Sequence, residues 1–76
     1  MTVREIRTRE RCAVQIFKHI LKVNERRFEN MDITTAVDYI ILTCGFITYG
    51  EMSRQRIVQQ CIEIIEINGF NTGIFY

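Results

Sequence analysis

The segment that could most readily do chemistry is a loop with two glycines five residues apart, Gly45 and Gly50. This is the glycine spacing of a phosphate-binding P-loop, in which a lysine and then a serine or threonine follow the second glycine and reach the terminal phosphates and the magnesium ion. Glu51 and Met52 stand at those two positions. Because a carboxylate repels phosphate, the sequence argues against nucleotide binding.

Other residue types that carry catalysis or metal binding are scattered along the chain. His19 is the only histidine, and it follows Cys12 by seven residues. In a helix this separation is about 10.5 Å, too far for a shared zinc ion or a thiolate–imidazole pair. Acid pairs such as Glu63 and Glu66 are one helical turn apart, which is typical of a solvated face. The sequence therefore predicts no catalytic residues, no metal site and no cofactor, and a protein that is not an enzyme.

Length and composition indicate one small folded domain over residues 1–76. Apolar residues make up 47% of the chain and charged residues 25%, which is an ordinary globular balance. There is no proline, and the isoleucines and valines recur at helical spacing, so we expect an all-α fold of three helices. A core this small usually needs disulfides, a metal or oligomerisation as reinforcement. Since the first two are not indicated, we expect a homodimer.

The cysteines and the apolar runs indicate in which cellular compartment the protein is expected. Cys12, Cys44 and Cys61 are far apart and lack the spacing of a metal-binding or redox motif. With no N-terminal signal segment, they favour a reducing, cytoplasmic compartment. Cys44 and Cys61 fall in apolar runs and are predicted to pack in the core as small hydrophobic residues. No apolar run approaches the ~18 residues needed to span a bilayer, so no membrane contact is expected.

Positive charge is concentrated in the N-terminal part of the chain. Residues 1–31 hold eight arginines and lysines against four acids, whereas residues 32–76 hold two arginines against five acids. A first amphipathic helix is predicted from about Val3 to Phe28, with Thr2 as its N-cap. Its core-facing side is predicted to hold Ile6, Ala13, Ile16, Phe17, Ile20 and Val23. The opposite side carries six candidate binding residues, Arg4, Arg7, Arg11, Lys18, Lys22 and Arg26.

These six cations are the strongest functional indication in the sequence. A row of cations suits an anionic surface, since each phosphate neutralised releases counterions and adds sequence-independent affinity. The partner could be an acidic protein or a nucleic acid, and the plain alternative is a solvated helix face. A net charge of +1 and the lack of aromatic residues among the cations weigh against nucleic acid.

A second helix is predicted to begin at Ile33, with Asp32 as its N-cap. Its buried side would hold Ile33, Ala36, Val37, Ile40, Ile41 and Cys44. Tyr39 and Leu42 are expected to widen that apolar face. Gly45 is predicted to end the helix in a backbone conformation with positive φ.

A third helix has two competing predicted starts. Thr48 forms a capping box with Glu51, and Ser53 is the other candidate N-cap. The core face is predicted to hold Ile57, Val58, Cys61, Ile62, Ile64 and Ile65. The position of this face on the helical wheel favours Ser53 as the N-cap, with room for a turn of helix before that residue.

The third helix is predicted to end at Ile67, with Gly69 in the positive-φ position that follows a helix and Phe70 folded back on the last turn. Residues 74–76 are three large apolar side chains, which would stay exposed to water on a free terminus. We expect them to dock over the domain's own core or, alternatively, on a dimer mate.

The second and third helices also allow a helix-turn-helix interpretation. The base-reading residues would then be Arg54, Gln55, Arg56 and Gln59. The turn from Gly45 to Ser53 is longer than the usual three or four residues, which disfavours this geometry. Arg54 and Arg56 nevertheless form the second candidate binding surface.

The portion from Ala36 to Glu66 resembles the small biofilm and acid-resistance regulators of the YmgB/AriR type. The resemblance rests on an apolar helix, a glycine-bearing polar turn and a helix that contains Arg56, Ile57, Ile62, Ile65 and Glu66. It implies an all-helical homodimer that acts as a regulator or connector without enzyme activity, with DNA binding proposed for the family. The chain differs from the family in turn length, in the long basic first helix and in the tail, so no site residue is carried over.

Taken together, these patterns predict a small cytoplasmic regulator that acts by binding itself and a protein partner, with nucleic acid as another candidate partner. Two alternatives stay open at this point. One is a phage- or plasmid-type inhibitor that docks on a host protein, and the other is a short helix-turn-helix DNA-binding protein.

Overall fold

A computed structural model of the chain describes residues 2–45 and 50–76. It contains three helices, which we number α1 (Val3–Val23), α2 (Ile33–Cys44) and α3 (Glu51–Asn68). The described ranges contain no strand, and 72% of the described residues are helical, so the predicted all-α fold is confirmed. Each helix packs against the other two.

The first helix begins where the sequence predicted and ends earlier. The side chain of Thr2 accepts a hydrogen bond from the Glu5 backbone N–H, which confirms the N-cap. The predicted end at Phe28 is wrong, because Asn24 leaves the helical conformation and its side-chain oxygen accepts from the Arg26 N–H. The turn after α1 allows the buried Phe28 ring to stack on Phe17 at a centroid distance of 5.6 Å.

The core-facing side of α1 differs from the predicted one. Its buried residues are Glu10, Ala13, Val14, Phe17 and Leu21. At 100° per residue this side is rotated by about 70° from the predicted stripe. Ile16 and Ile20 pack on the edge of the core, and Val23 is 73% exposed, so its predicted burial is wrong. The rotation brings Glu10 into the interface with α3.

The second helix follows the prediction on its buried side. Ile33, Ala36, Val37, Ile40 and Ile41 are buried, and Cys44 packs against them. Asp32 is the N-cap by position, although its carboxylate accepts from the Thr34 hydroxyl and not from a helical N–H. Gly45 ends the helix with φ +72°, as predicted. Leu42 does not widen the buried face, since it is 79% exposed, whereas Tyr39 is 43% exposed and packs edge-on against the buried Phe28 ring at a centroid distance of 6.0 Å.

The third helix begins between its two predicted starts. Gly50 is the N-cap residue and Glu51 is the first helical residue. Ser53 is therefore not the cap but a buried residue of the first turn, because its hydroxyl bonds to Glu10. Thr48 lies outside the described residues. The predicted core face is confirmed, with Ile57, Cys61 and Ile65 buried and Val58, Ile62 and Ile64 packed beside them.

The end of α3 is also confirmed to within one residue. Asn68 is its last residue, and Gly69 follows with φ +67°. The Phe70 N–H donates to the Ile65 carbonyl, and the Phe70 side chain packs on the core. Local backbone chemistry thus determines where α2 and α3 stop.

The C-terminal tail docks on its own chain. The Asn30 N–H donates to Gly73 O, and Phe75 pairs in parallel across Asp32, donating to Met31 O and accepting from the Ile33 N–H. Thr72 is buried and Ile74 packs on the core. Phe75 and Tyr76 each remain 59% exposed, so their predicted packing over the core is wrong. Backbone pairing, and not the aromatic rings, fixes the tail.

The docked tail predicts unequal costs for alanine at two glycines with the same backbone conformation. Gly73 has φ +71°, and a Cβ there would lie 2.8 Å from Glu29 Cγ, whereas Gly69 has φ +67° and open space. We expect Gly69→Ala to cost about 1 kcal/mol for the backbone strain alone. Gly73→Ala should cost about 2 kcal/mol or more, since a steric clash is added. Urea unfolding measures both, and equal losses would contradict the docked tail.

Candidate functional site

Five cations lie along one line of α1, and we call them the cationic row. The row consists of Arg4, Arg7, Arg11, Lys18 and Lys22. Gln15 is the residue that fills the gap between Arg11 and Lys18. Steps of three and four residues keep all six side chains on one face, and the row spans about 27 Å along the helix axis. This line of the helix contains no carboxylate.

The row is accessible. Lys18 is half-buried and the other four cations are exposed. Within the described part of the chain, Arg7 is the one member of the row that forms an ion pair, at 3.5 Å from Glu10. Its side chain is still 53% exposed. Four cations of the row therefore have no ion-pair partner among the described residues.

The sixth predicted cation, Arg26, is not on this helix face. α1 ends at Val23, and Arg26 lies in the turn after it, where its guanidinium pairs with Glu29. The early end of α1 is the reason for the difference. The row is also beside the core-facing side of α1 and not opposite to it, because that side is rotated toward α3.

Next to the row, the Glu10 carboxylate is buried between α1 and α3 with 1% exposure. The Ser53 hydroxyl donates to it at 2.6 Å. Arg56 donates through Nε at 3.1 Å and through Nη2 at 2.9 Å. Arg7 adds its charge from the row. We call these four residues the Glu10 cluster.

The cluster keeps Glu10 ionised. Burial raises the pKa of a carboxyl group, but the hydrogen bonds from Arg56 and Ser53 and the positive charges of Arg56 and Arg7 outweigh it, so the pKa of Glu10 is lowered. The same contact raises the pKa of Arg56. All buried side-chain polar atoms in the described ranges have hydrogen-bond partners. Glu10 therefore acts as a charged anchor between two helices.

Arg54 makes a similar contact on the other side of α3. Its Nε and Nη2 donate to the two carboxylate oxygens of Asp38 on α2, at 2.7 and 2.8 Å. This hydrogen bonding lowers the pKa of Asp38. The Asp38 side chain is 45% exposed against 2% for Glu10, so the carboxylate of this pair is far more solvated than that of the Glu10 cluster.

The structure thus separates the two predicted binding surfaces. Arg54 and Arg56 point to different helices and bind carboxylates of the same chain, whereas Gln55 and Gln59 are exposed. The cationic row stays open to a partner. Sequence reasoning did not identify Glu10, Ser53 or Asp38 as partners of these arginines. The one signal that could have found Glu10 is its place between the apolar Val14, Phe17 and Leu21 on the helical wheel.

The remaining candidate chemical groups do not form a site among the described residues. His19 is exposed, and no three His, Cys, Asp or Glu side chains converge to hold a metal ion in residues 2–45 and 50–76. Cys61 is buried, and burial raises the pKa of its thiol to about 12. None of the helices described is both long and apolar enough to cross a membrane.

No family model, curated protein or solved structure matches the chain. Any function proposed for it therefore rests on the arrangement of its own residues.

The Glu10 cluster predicts different outcomes for two matched arginine substitutions. Arg56→Met would leave a buried carboxylate without its main donor, whereas Arg54→Met would leave Asp38 half-solvated. At pH 7 we expect the loss of unfolding free energy to be about two to five times larger for Arg56→Met. Chemical denaturation of both variants and the parent measures this ratio.

The stability of the same two variants should also depend differently on pH. The lowered pKa of Glu10 means that its contribution to stability is present above its ordinary value and is lost as pH falls through the lowered value. In Arg56→Met, burial dominates and Glu10 protonates more readily. The difference in unfolding free energy between this variant and the parent should therefore shrink as the pH falls from 7 to 3. A difference in unfolding free energy that is constant with pH, or equal losses of unfolding free energy in the two variants, would show that Glu10 is not a buried charge.

Proposed function

We propose that the protein is a small non-enzymatic regulator that acts by binding, and that the cationic row is the surface that meets its partner. The observation that carries this proposal is a straight row of five exposed or half-buried cations, four of which have no ion-pair partner within the described ranges. Neighbouring like charges repel one another when no counter-charge is near. A polyanionic partner would relieve that repulsion and would release its own counterions.

The shape of the row favours nucleic acid as the partner. A duplex carries a dense and regular array of phosphates, about one every 3.4 Å of helix axis per strand, so a row of cations that extends over about 27 Å can contact several of them at once. Readout through Arg54 and Arg56 has less support, because both guanidinium groups already bind carboxylates of the chain. Contacts from α1 would therefore be to phosphate and independent of sequence.

An acidic protein is the second candidate partner. It is favoured by the net charge of +1, which is well below that of most nucleic-acid-binding domains. The proposed inhibitor that docks on a host protein belongs to this case. Such a complex would have one-to-one stoichiometry, and its affinity would depend less steeply on salt than binding to duplex DNA.

We also propose that the chain forms a homodimer. The support is its small core and the large apolar side chains that remain exposed, among them Leu42, Phe75 and Tyr76. The resemblance to YmgB/AriR regulators agrees with a dimer and stays part of this proposal. Light scattering at micromolar concentration should give twice the chain mass of 9.1 kDa. A mass of one chain would contradict the dimer without affecting the cationic row.

The row predicts a salt-dependent, position-dependent affinity for duplex DNA. If five phosphates are neutralised, the binding constant should fall about 10²–10³-fold between 50 and 200 mM salt. Arg11→Gln with Lys22→Gln should weaken binding at low salt and reduce the salt slope by about 2. Electrophoretic shifts with a nonspecific duplex measure both quantities.

The matched control removes the same two charges outside the row. Arg26→Gln with Arg27→Gln should change the affinity and the slope much less, since both residues lie after the end of α1. Equal effects of the two double variants would show that net charge, and not the row, controls binding. No shift at low salt would exclude duplex DNA and would favour the acidic protein.

A further inference from the structure

An asparagine and a glycine stand next to each other where α3 ends. Asn68 is the last residue of the helix, Gly69 follows it, and both are exposed. The other asparagines, Asn24, Asn30 and Asn71, are followed by larger residues. Asparagine is thermolabile, because its side-chain amide can be attacked by the next backbone nitrogen. A following glycine has no Cβ to obstruct that close approach, so Asn68 is chemically the most reactive of these asparagines.

The folded chain holds both reacting groups in other hydrogen bonds. Asn68 Nδ2 donates to the Ile64 carbonyl at 2.9 Å, and the Gly69 N–H donates to the Ile65 carbonyl at 3.0 Å. The Gly69 nitrogen can attack only after it has lost its proton. A hydrogen-bonded backbone amide loses its proton to solvent only when the bond opens. The last turn of α3 must therefore open before Asn68 can react.

The docked tail opposes that opening. The Phe70 N–H donates to the same carbonyl as Gly69, and the Phe70 side chain packs on the core. Further along, Gly73 O accepts from the Asn30 N–H. Residues 69–73 are thus held at both ends, so freeing the Gly69 N–H requires this segment to leave its place.

We propose that Asn68–Gly69 is a deamidation site that the docked tail keeps closed, and that conversion of Asn68 to isoaspartate releases the tail. The proposal goes beyond the proposed function, because it concerns the end of α3 and not the cationic row. The reaction uses only this chain and water.

The reaction consumes one water and releases one ammonia. The deprotonated Gly69 nitrogen attacks Asn68 Cγ and forms a new C–N bond, while the bond from Cγ to Nδ2 breaks and ammonia leaves with the added proton. The product is a cyclic succinimide. Water then opens the ring, giving isoaspartate when the bond to the Asn68 backbone carbonyl carbon breaks and aspartate when the bond to Cγ breaks. No group is oxidised or reduced.

Either product disturbs the end of α3. Isoaspartate adds a methylene to the backbone directly before Gly69, so the positive-φ turn no longer directs Phe70 to the core. Aspartate adds a negative charge at the C-terminus of the helix, where the helix dipole disfavours it, and the last turn of α3 holds no basic residue. We expect the modified chain to melt about 4–8 °C below the parent.

The experiment incubates the full-length chain at pH 8 in buffer and in guanidinium chloride. Peptide mass spectrometry with enzymatic methylation of isoaspartate measures the modification at each asparagine. We expect Asn68 to react first in the unfolded chain, and at least about tenfold more slowly in the folded chain. Asn68→Gln should stay unmodified at this position over the same time. Equal rates in the two solvents, or another asparagine that reacts first in the unfolded chain, would overturn the proposal.

Release of the tail has its own measurement. The Asn30 and Ile33 N–H groups donate to carbonyls of the tail. In the purified isoaspartate chain, these amide protons should exchange with solvent faster than in the parent, while those in the middle of α2 should not. Unchanged exchange at both amides would overturn the release of the tail.

Two variants separate opening of the tail from unfolding of the whole chain. Gly73→Ala displaces the tail through its clash with Glu29, whereas Arg54→Met removes an ion pair between α2 and α3. In buffer, Asn68 should react about threefold or more faster in Gly73→Ala than in the parent, and near the parent rate in Arg54→Met. Equal acceleration in the two variants would overturn the role of the tail. Circular dichroism confirms that both variants retain their helices.

Discussion

The ionised carboxylate of Glu10 is buried between α1 and α3, and the placement of α3 depends on it. A buried charge is costly unless it is paired and hydrogen-bonded. Its donors, Ser53 and Arg56, both come from the first turns of α3. Within the same stretch, Arg54 reaches in another direction to Asp38 of α2. Residues 53–56 thus define how α3 sits on both other helices, while the apolar core supplies most of the driving force for folding.

This anchor also explains the surface that α1 presents. With Glu10 turned toward α3, the cationic row lies beside the α1–α3 contact and remains open to solvent. Arg7 belongs to both features, since it contributes charge to Glu10 and keeps half of its side chain exposed. The proposed binding surface is therefore supported along one edge by a rigid polar contact, which holds the row in place before any partner arrives.

Much of the fold could be predicted from the sequence, because it depends on local rules. The buried sides of α2 and α3 follow from apolar spacing, and Gly45 and Gly69 end these helices through positive φ. The predicted side of α1 was wrong, although the apolar Val14, Phe17 and Leu21 surround Glu10 on the helical wheel and mark the observed side. A hydrophobic pattern treats Glu10 as a surface residue and so shifts the apparent core toward Ile16 and Val23.

The candidate site was predictable only in part, for a related reason. Five of the six predicted cations of the first helix form the row, since their spacing is a property of one helix. The partners of Arg54 and Arg56 lie 16 and 46 residues away in the sequence, and no local pattern encodes such pairings. The start of α3 was also missed, because Gly50 is a weaker cap signal than Thr48 or Ser53.

The measurement that tests the role of Glu10 most directly is a double-mutant cycle at pH 7 with Glu10→Gln, Arg56→Met and the combination, followed by urea unfolding. If Glu10 is a buried charge that Arg56 satisfies, neutralising Glu10 in the Arg56→Met background should restore stability, and the double variant should be more stable than Arg56→Met alone. Losses that simply add would contradict the anchor and the placement of α3 that depends on it.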